Sequence, residues 1–319
     1  MTRVAAVDCG TNSIRLLVAD LDPATGELTD LDRRMTIVRL GQDVDRTGRL
    51  APEALERTFA ACRAYAEVIG GHGVTPERTR FIATSASRDA GNRDDFVRGV
   101  VDILGVEPEV ITGGQEAAFS FTGATRELAG RDDVAPPYLV VDIGGGSTEF
   151  VLGEKDVRAA RSVDIGCVRL TERHLLRDGR IADPPGPGLI EAMRADIAAA
   201  LDLVEETVPL PEARTLVGLA GSVTTIAAIA MGLTEYDSTA IHHARITAGQ
   251  VAEVTERLLT ATHEERAAIP VIHPGRVDVI GAGALVLLSV MERTGAEEVV
   301  VSEHDILDGI AFHTAAEVR

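Results

Sequence analysis

Lysine is almost absent from this chain: Lys155 is the only one among 319 residues. Tryptophan is missing altogether, and aromatic residues make up only 3%. The core must therefore be aliphatic, built from Val, Ile, Leu and Ala. Cysteine is scarce too. Cys9, Cys62 and Cys167 are odd in number and far apart, which excludes a disulfide framework and a cysteine zinc site. No apolar run approaches the length of a membrane span, and no basic stretch followed by an apolar one opens the chain. The expected location is cytoplasmic. The eight histidines show no metal-ligand spacing, and the pair His242-His243 would point to opposite faces of a strand. Net charge is −19, a field that repels nucleic acid and anionic membranes. It repels polyphosphate as well, so any phosphate site must be local: backbone N–H groups, a few arginines and a divalent cation.

What the chain does have is a repeat. Val4-Ala5-Ala6-Val7-Asp8-Cys9-Gly10-Thr11-Asn12-Ser13-Ile14-Arg15 aligns with Tyr138-Leu139-Val140-Val141-Asp142-Ile143-Gly144-Gly145-Gly146-Ser147-Thr148-Glu149, at a constant offset of 142 − 8 = 134. Each copy reads as an apolar strand, a turn of small polar residues, and a second apolar strand: a β-hairpin. A repeat of this length predicts two similar domains facing one another. The length suits two domains, and the polar segment ending in Pro136-Pro137 suits a junction. The expected bounds are 1–128 and 129–304, with a C-terminal helix over about 305–319 packing back on the first domain.

Helical periodicity covers 52–69, where Gly70-Gly71 stops it, and 94–104, 115–128, 189–205, 222–231, 249–259 and 277–293. Strands are expected at 79–84, 110–111, 216–219 and 299–301. Thr262 and Glu265 form a capping-box pattern. The loop 183–188, rich in Pro and Gly, reads as exposed and irregular. Alternating strands and helices in both halves make the fold α/β.

The Asp-x-Gly-x-x-Ser turns have a chemical reading. Glycines admit close approach of backbone to a ligand, and successive N–H groups form a concave anion site. Gly10, Thr11, Asn12 and Ser13, and likewise Gly144, Gly145, Gly146, Ser147 and Thr148, are candidate phosphate donors. Asp8 and Asp142, where each strand enters its turn, could hold a hydrated divalent cation. One copy alone would be a tight hairpin with a capping Asp; two copies in register favour the functional reading.

The first loop, Asp8 to Arg15, resembles the first motif of the exopolyphosphatase/guanosine-pentaphosphate phosphatase (Ppx/GppA) family, of the actin/sugar-kinase/heat-shock ATPase superfamily. Asp142 to Glu149 is similar to the second motif, Ala83 to Ala90 to a third, Ile111 to Ala117 to a fourth and Gly218 to Thr225 to a fifth. Pro274 to Ile280 and Val301-Ser302-Glu303 also match, in order along nearly the whole chain. The resemblance implies two actin-like, ribonuclease H-like domains with a central cleft between them. It implies that Glu116 is the carboxylate that positions and deprotonates the attacking water. By position alone, Glu116 would be an acid favouring the positive end of a helix. Asp142, Glu149 and Asp8 are the implied metal-associated acids, with Mg²⁺ or Mn²⁺ as cofactor. Arg88, Asn12, Gly221, Ser222 and the two glycine loops are the implied phosphate-binding groups. The family often shows two adjacent acids where this chain has Gln115-Glu116, which leaves one carboxylate to carry the role.

The expected activity is release of terminal orthophosphate from inorganic polyphosphate. Guanosine pentaphosphate hydrolysis is the closest rival, and a non-hydrolytic sensor of polyphosphate or guanosine tetraphosphate is the third reading. An ATP-dependent kinase or chaperone of the superfamily is a further reading, disfavoured because its kinases usually place an aspartate as base whereas Glu116 fits the hydrolase family. Longer family members add a C-terminal region that encloses a polymer; this chain stops at Arg319, and short polyphosphate is the expected substrate. No nucleic acid or membrane partner is expected. A homodimer is compatible with the sequence.

Overall fold

A computed structural model describes residues 1–22, 25, 27–128, 131 and 133–317. The chain divides into two compact units, residues 1–123 with 305–319, and residues 124–304. The first boundary thus lies between 123 and 124 rather than between 128 and 129. The helix at this point, Gly113–Thr125, is shorter than the periodicity predicts, and buried Leu128 offers its carbonyl to the Tyr138 hydroxyl of the second unit.

The first unit is built on a sheet of five strands, β1 (Thr2–Cys9), β2 (Ser13–Leu21), β3 (Leu28–Ile37), β4 (Thr79–Ala83) and β5 (Glu109–Val110), in the order β3-β2-β1-β4-β5. The first three are antiparallel neighbours, whereas β4 runs parallel to β1 and β5 to β4. β1 is apolar at every position from Val4 to Val7 because both of its faces are covered. Ala5 and Val7 pack with Cys62, Tyr65 and Ile69 of the helix Pro52–Gly71 and with Phe96 and Val100 of the helix Arg93–Leu104. Val4 and Ala6 face the other way, onto Ile306, Leu307, Ile310 and Ala311 of the helix Ile306–Glu317. Phe96 has no exposed surface, and its truncation to Ala would cost about 3–5 kcal/mol.

The second unit repeats this plan. Its strands are β6 (Tyr138–Ile143), β7 (Thr148–Gly153), β8 (Val157–Val163), a small β9–β10 ribbon (Leu176–Arg177 and Arg180–Ile181), β11 (Thr215–Leu219), β12 (Arg245–Thr247) and β13 (Glu298–Val301). The main sheet runs β8-β7-β6-β11-β13-β12. Its first five strands reproduce the order and directions of the first sheet, with β12 added antiparallel at the edge. The two units thus share one strand order, as expected of the two similar domains that the repeat predicts. Helices Pro187–Glu205, Ala220–Ala230, Ala248–Thr260 and Ile280–Thr294 supply the core. Thr262 and Glu265 complete their capping box.

The loop 183–188 differs from its sequence reading. Pro187 and Gly188 form the first turn of the helix Pro187–Glu205, because proline is suited to the first helical position. Asp183 accepts a hydrogen bond from the buried Arg266. None of the helices is long and apolar enough to cross a membrane among the described residues.

Candidate active site

In the first unit the β1–β2 turn is closed by the Gly10 N–H donating to the Ser13 carbonyl at 3.0 Å. The Thr11 carbonyl accepts from Gly41, and the Asn12 carbonyl from Val38 and Arg39. Because a trans peptide sets each C=O opposite the next N–H, the N–H groups of Asn12 and Ser13 face away from these donors. The Thr11 hydroxyl lies 2.8 Å from that of Ser85, at the start of the short helix Ser85–Asp89 that carries Arg88. Arg88 in turn donates to the Ile111 carbonyl at 2.9 Å and sits 3.5 Å from the Glu116 carboxylate. Gly10 to Ser13, Arg88 and Glu116, scattered over the sequence, are thus linked by contacts within one unit.

Glu116 is buried in the first turn of the helix Gly113–Thr125. Its neighbour Gln115 has a separate task. The Gln115 side-chain oxygen accepts from the Thr112 N–H, and the Gln115 N–H donates to the Thr112 hydroxyl, at 3.0 and 3.3 Å. This reciprocal pair caps the helix. A glutamine caps as well as a glutamate, so no acid is needed at 115 for the helix start.

Asp8 is buried. Burial pushes its carboxyl above the usual range, Arg15 opposes that shift, and Asp305 adds to it. One Asp8 oxygen takes the Arg15 guanidinium at 2.7 Å, and Arg15 also pairs with Asp305. The other, Oδ1, is buried with no hydrogen-bond partner among the described residues.

In the second unit the carbonyls of Gly144, Gly145 and Gly146 are all captured by the segment Gly166 to Arg169. Gly144 accepts from Cys167, Gly145 from Val168 and Arg169, and Gly146 from Gly166. The Arg169 side chain adds a 2.7 Å bond to Gly146. By the same peptide geometry, the N–H groups of Gly145, Gly146 and Ser147 are turned to the opposite side, a three-donor concavity suited to phosphate oxygens. Thr148 is buried and donates to the Ile165 carbonyl, so its hydroxyl holds the loop. Gly221 and Ser222 open the helix Ala220–Ala230 after β11. Ser222 hydrogen-bonds the buried Cys167 thiol, which burial keeps protonated. Through Cys167 the second glycine loop and the Gly221-Ser222 turn are joined.

The repeat exposes a difference between the copies. Asp8 faces Arg15 across the β1–β2 register, and Asp142 faces Glu149 across β6–β7. These are equivalent positions, 15 + 134 = 149. The first copy neutralises its aspartate internally. The second sets two buried acids opposite one another, with Glu149 accepting from Ser162 at 2.7 Å. Two buried carboxylates in register offer the oxygen donors that a hard divalent cation takes. Asp142 and Glu149 therefore fit Mg²⁺ or Mn²⁺. Asp8, whose Oδ2 is held by Arg15, offers fewer oxygens.

Residues absent from the sequence reading also shape the site. A Cβ on Gly166 would stand 2.3 Å from the Gly145 carbonyl carbon, so only glycine lets this segment press against the loop. A Cβ on Gly221 would stand 1.9 Å from the Arg276 guanidinium, which rests there and reaches Thr225. Arg276 lies in the matched segment Pro274 to Ile280; Gly166 and Arg169 carry no pattern of their own.

The profile of the Ppx/GppA phosphatase family matches residues 17–317. The chain belongs to the Ppx/GppA phosphatase family. Exopolyphosphatase 2 of Mycobacterium tuberculosis is 50% identical over 326 aligned positions, covering 99% of each chain. The crystal structure of an exopolyphosphatase-like protein superposes with a TM-score of 0.93 at 43% identity, covering 100% of both chains. The guanosine-5′-triphosphate,3′-diphosphate pyrophosphatase of Vibrio atlanticus is 29% identical, covering 99% of this chain and 60% of its own. As a Ppx/GppA phosphatase, the protein is a phosphoanhydride hydrolase, and the ordered motifs that pointed to it are the segments that build the two loops and the Arg88–Glu116 pair.

Proposed function

We propose that this chain is an exopolyphosphatase that releases terminal orthophosphate from short inorganic polyphosphate, with Glu116 as general base. The supporting observation is the buried Glu116 carboxylate, 3.5 Å from Arg88 and relieved of helix capping by Gln115. The likeness to a full-length exopolyphosphatase at 50% identity supports the substrate class.

In this reading each unit offers N–H donors to phosphate oxygens, Asn12 in the first and Gly145, Gly146 and Ser147 in the second. Arg88 holds the terminal phosphate and orients Glu116. Glu116 takes a proton from water as the water oxygen attacks the terminal phosphorus. The bridging P–O bond breaks, and its electron pair stays with the shortened chain. Asp142 and Glu149 would hold a Mg²⁺ or Mn²⁺ ion, which when bound offsets substrate charge.

Phosphate release measured on polyphosphates of graded length, guanosine pentaphosphate and ATP tests this. The expected order puts short polyphosphate first in kcat/KM. Glu116→Gln should lower turnover by about 10²–10⁴ while substrate binding persists. Preference for guanosine pentaphosphate would reassign the substrate. Tight polyphosphate binding with no turnover on any of them would make the protein a sensor.

A further inference from the structure

Three side chains that the phosphatase reading does not use meet in the second unit. Glu127 follows the helix Gly113–Thr125, His242 ends the short helix Ser238–Ile241, and His304 follows β13. One ligand atom from each lies within 4.8 Å of the other two. The Glu127 carboxylate is 2.9 Å from His242 Nε2 and 3.4 Å from His304 Nδ1. Bonds of about 2.0–2.2 Å to zinc in a tetrahedron set neighbouring ligands roughly 3.4 Å apart, so an ion needs only small adjustments to fit. The geometry points to a binding site for a transition-metal cation of the Zn²⁺, Co²⁺ or Ni²⁺ class, separate from the Asp142–Glu149 position.

The backbone supports this assignment independently. His243 is held at φ 63, a left-handed conformation unusual for a residue other than glycine. Its N–H donates to the Val301 carbonyl at 2.7 Å. The result is that His242 and His243 do not alternate as in a strand; their rings stack at 3.7 Å, and the His304 ring lies 4.6 Å from His242. His243 is engaged by Arg131 at 2.9 Å and stands outside the ligand set. Glu127 is exposed, which gives an ion access.

Metal binding changes one hydrogen bond. The Glu303 N–H reaches His242 Nδ1 at 3.2 Å, which puts the ring proton on Nε2, facing Glu127. An ion replaces that proton, the proton then belongs on Nδ1, and the Glu303 contact is given up. The two imidazoles select against Mg²⁺ and Ca²⁺, which take oxygen ligands, and favour the later transition metals.

The location gives the site a consequence. The chain enters the second unit between 123 and 124 and exits it between 304 and 305. Glu127 and His304 each lie beside one of these crossings. A bound ion would pin both crossing segments together within the second unit.

The test is a Co²⁺ titration of the full-length protein in excess Mg²⁺, followed by visible d–d absorption. One equivalent should produce the intense band of a low-coordinate nitrogen-ligated site. His304→Gln and Glu127→Gln should each weaken binding by more than about 100-fold, the upper end of what loss of a mere outer-shell partner costs. Glu127 is exposed, so that variant should fold even if the histidine variant does not. Absence of the band in the wild type, or its survival in both folded variants, would overturn the site. Because excess Mg²⁺ occupies an oxygen site, neither result depends on the assignment of Asp142 and Glu149.

Discussion

Gln115 stands beside the candidate base, and the structure separates two duties that sequence leaves merged. Gln115→Ala removes the capping partner of Thr112. It should cost about 1 kcal/mol of stability and lower the unfolding midpoint with little change in kcat. Gln115→Glu keeps the cap and should leave both unchanged; a large gain in kcat would show that the second acid is catalytic after all. The Asp142–Glu149 opposition gives a sharper test. Glu149→Gln removes one of two facing acids. It should raise the Mg²⁺ concentration for half-maximal phosphate release at least tenfold, equivalent to about 1.4 kcal/mol, while the protein stays folded. An unshifted Mg²⁺ titration would remove Glu149 from the metal position. Asp8 and Arg15, a similar pair by sequence alone, differ because an arginine closes the first copy.

At the scale of elements, the hairpins were legible because a continuous apolar strand, a small polar turn and a second apolar strand recur at fixed offset. The segment that supports the second turn was not. Gly166 to Arg169 supports the glycine loop through backbone N–H groups, which any residue but proline supplies, so no side-chain pattern marks it. Gly166→Ala should displace Gly145 and Gly146, weaken phosphate affinity by more than tenfold and cost roughly 1–3 kcal/mol of stability. Isothermal titration with phosphate, beside a melting curve, separates the two effects. Unchanged affinity would mean the loop does not hold phosphate. The histidine cluster escaped notice for a different reason. Its members are far apart in sequence, and a left-handed His243 cancels the alternation on which a strand reading rests.

Across the whole molecule, net charge of −19 sets the background against which a polyanion must bind. Salt normally weakens the grip of a protein on a phosphate chain. Here moderate salt should first lower KM for polyphosphate, since screening beyond about 8 Å removes repulsion while the local donors lie within that distance. Steady-state kinetics from low to physiological ionic strength, at constant free Mg²⁺, would check this. A KM that rises throughout would mean that a basic track outweighs the net charge.

The helix Ile306–Glu317 covers the face of the first sheet presented by Val4, Ala6, Leu17 and Ala19. On the ribosome those four residues emerge long before their cover is made. The second unit is continuous in sequence, 124–304, and can assemble as soon as it has emerged. The first must wait, one greasy flank open, until its closing helix has been translated. During synthesis the later-born unit is therefore the earlier to mature, the reverse of the usual N-to-C order. A nascent chain arrested after residue 304 should resist protease across 124–304 while its first 123 residues are cut.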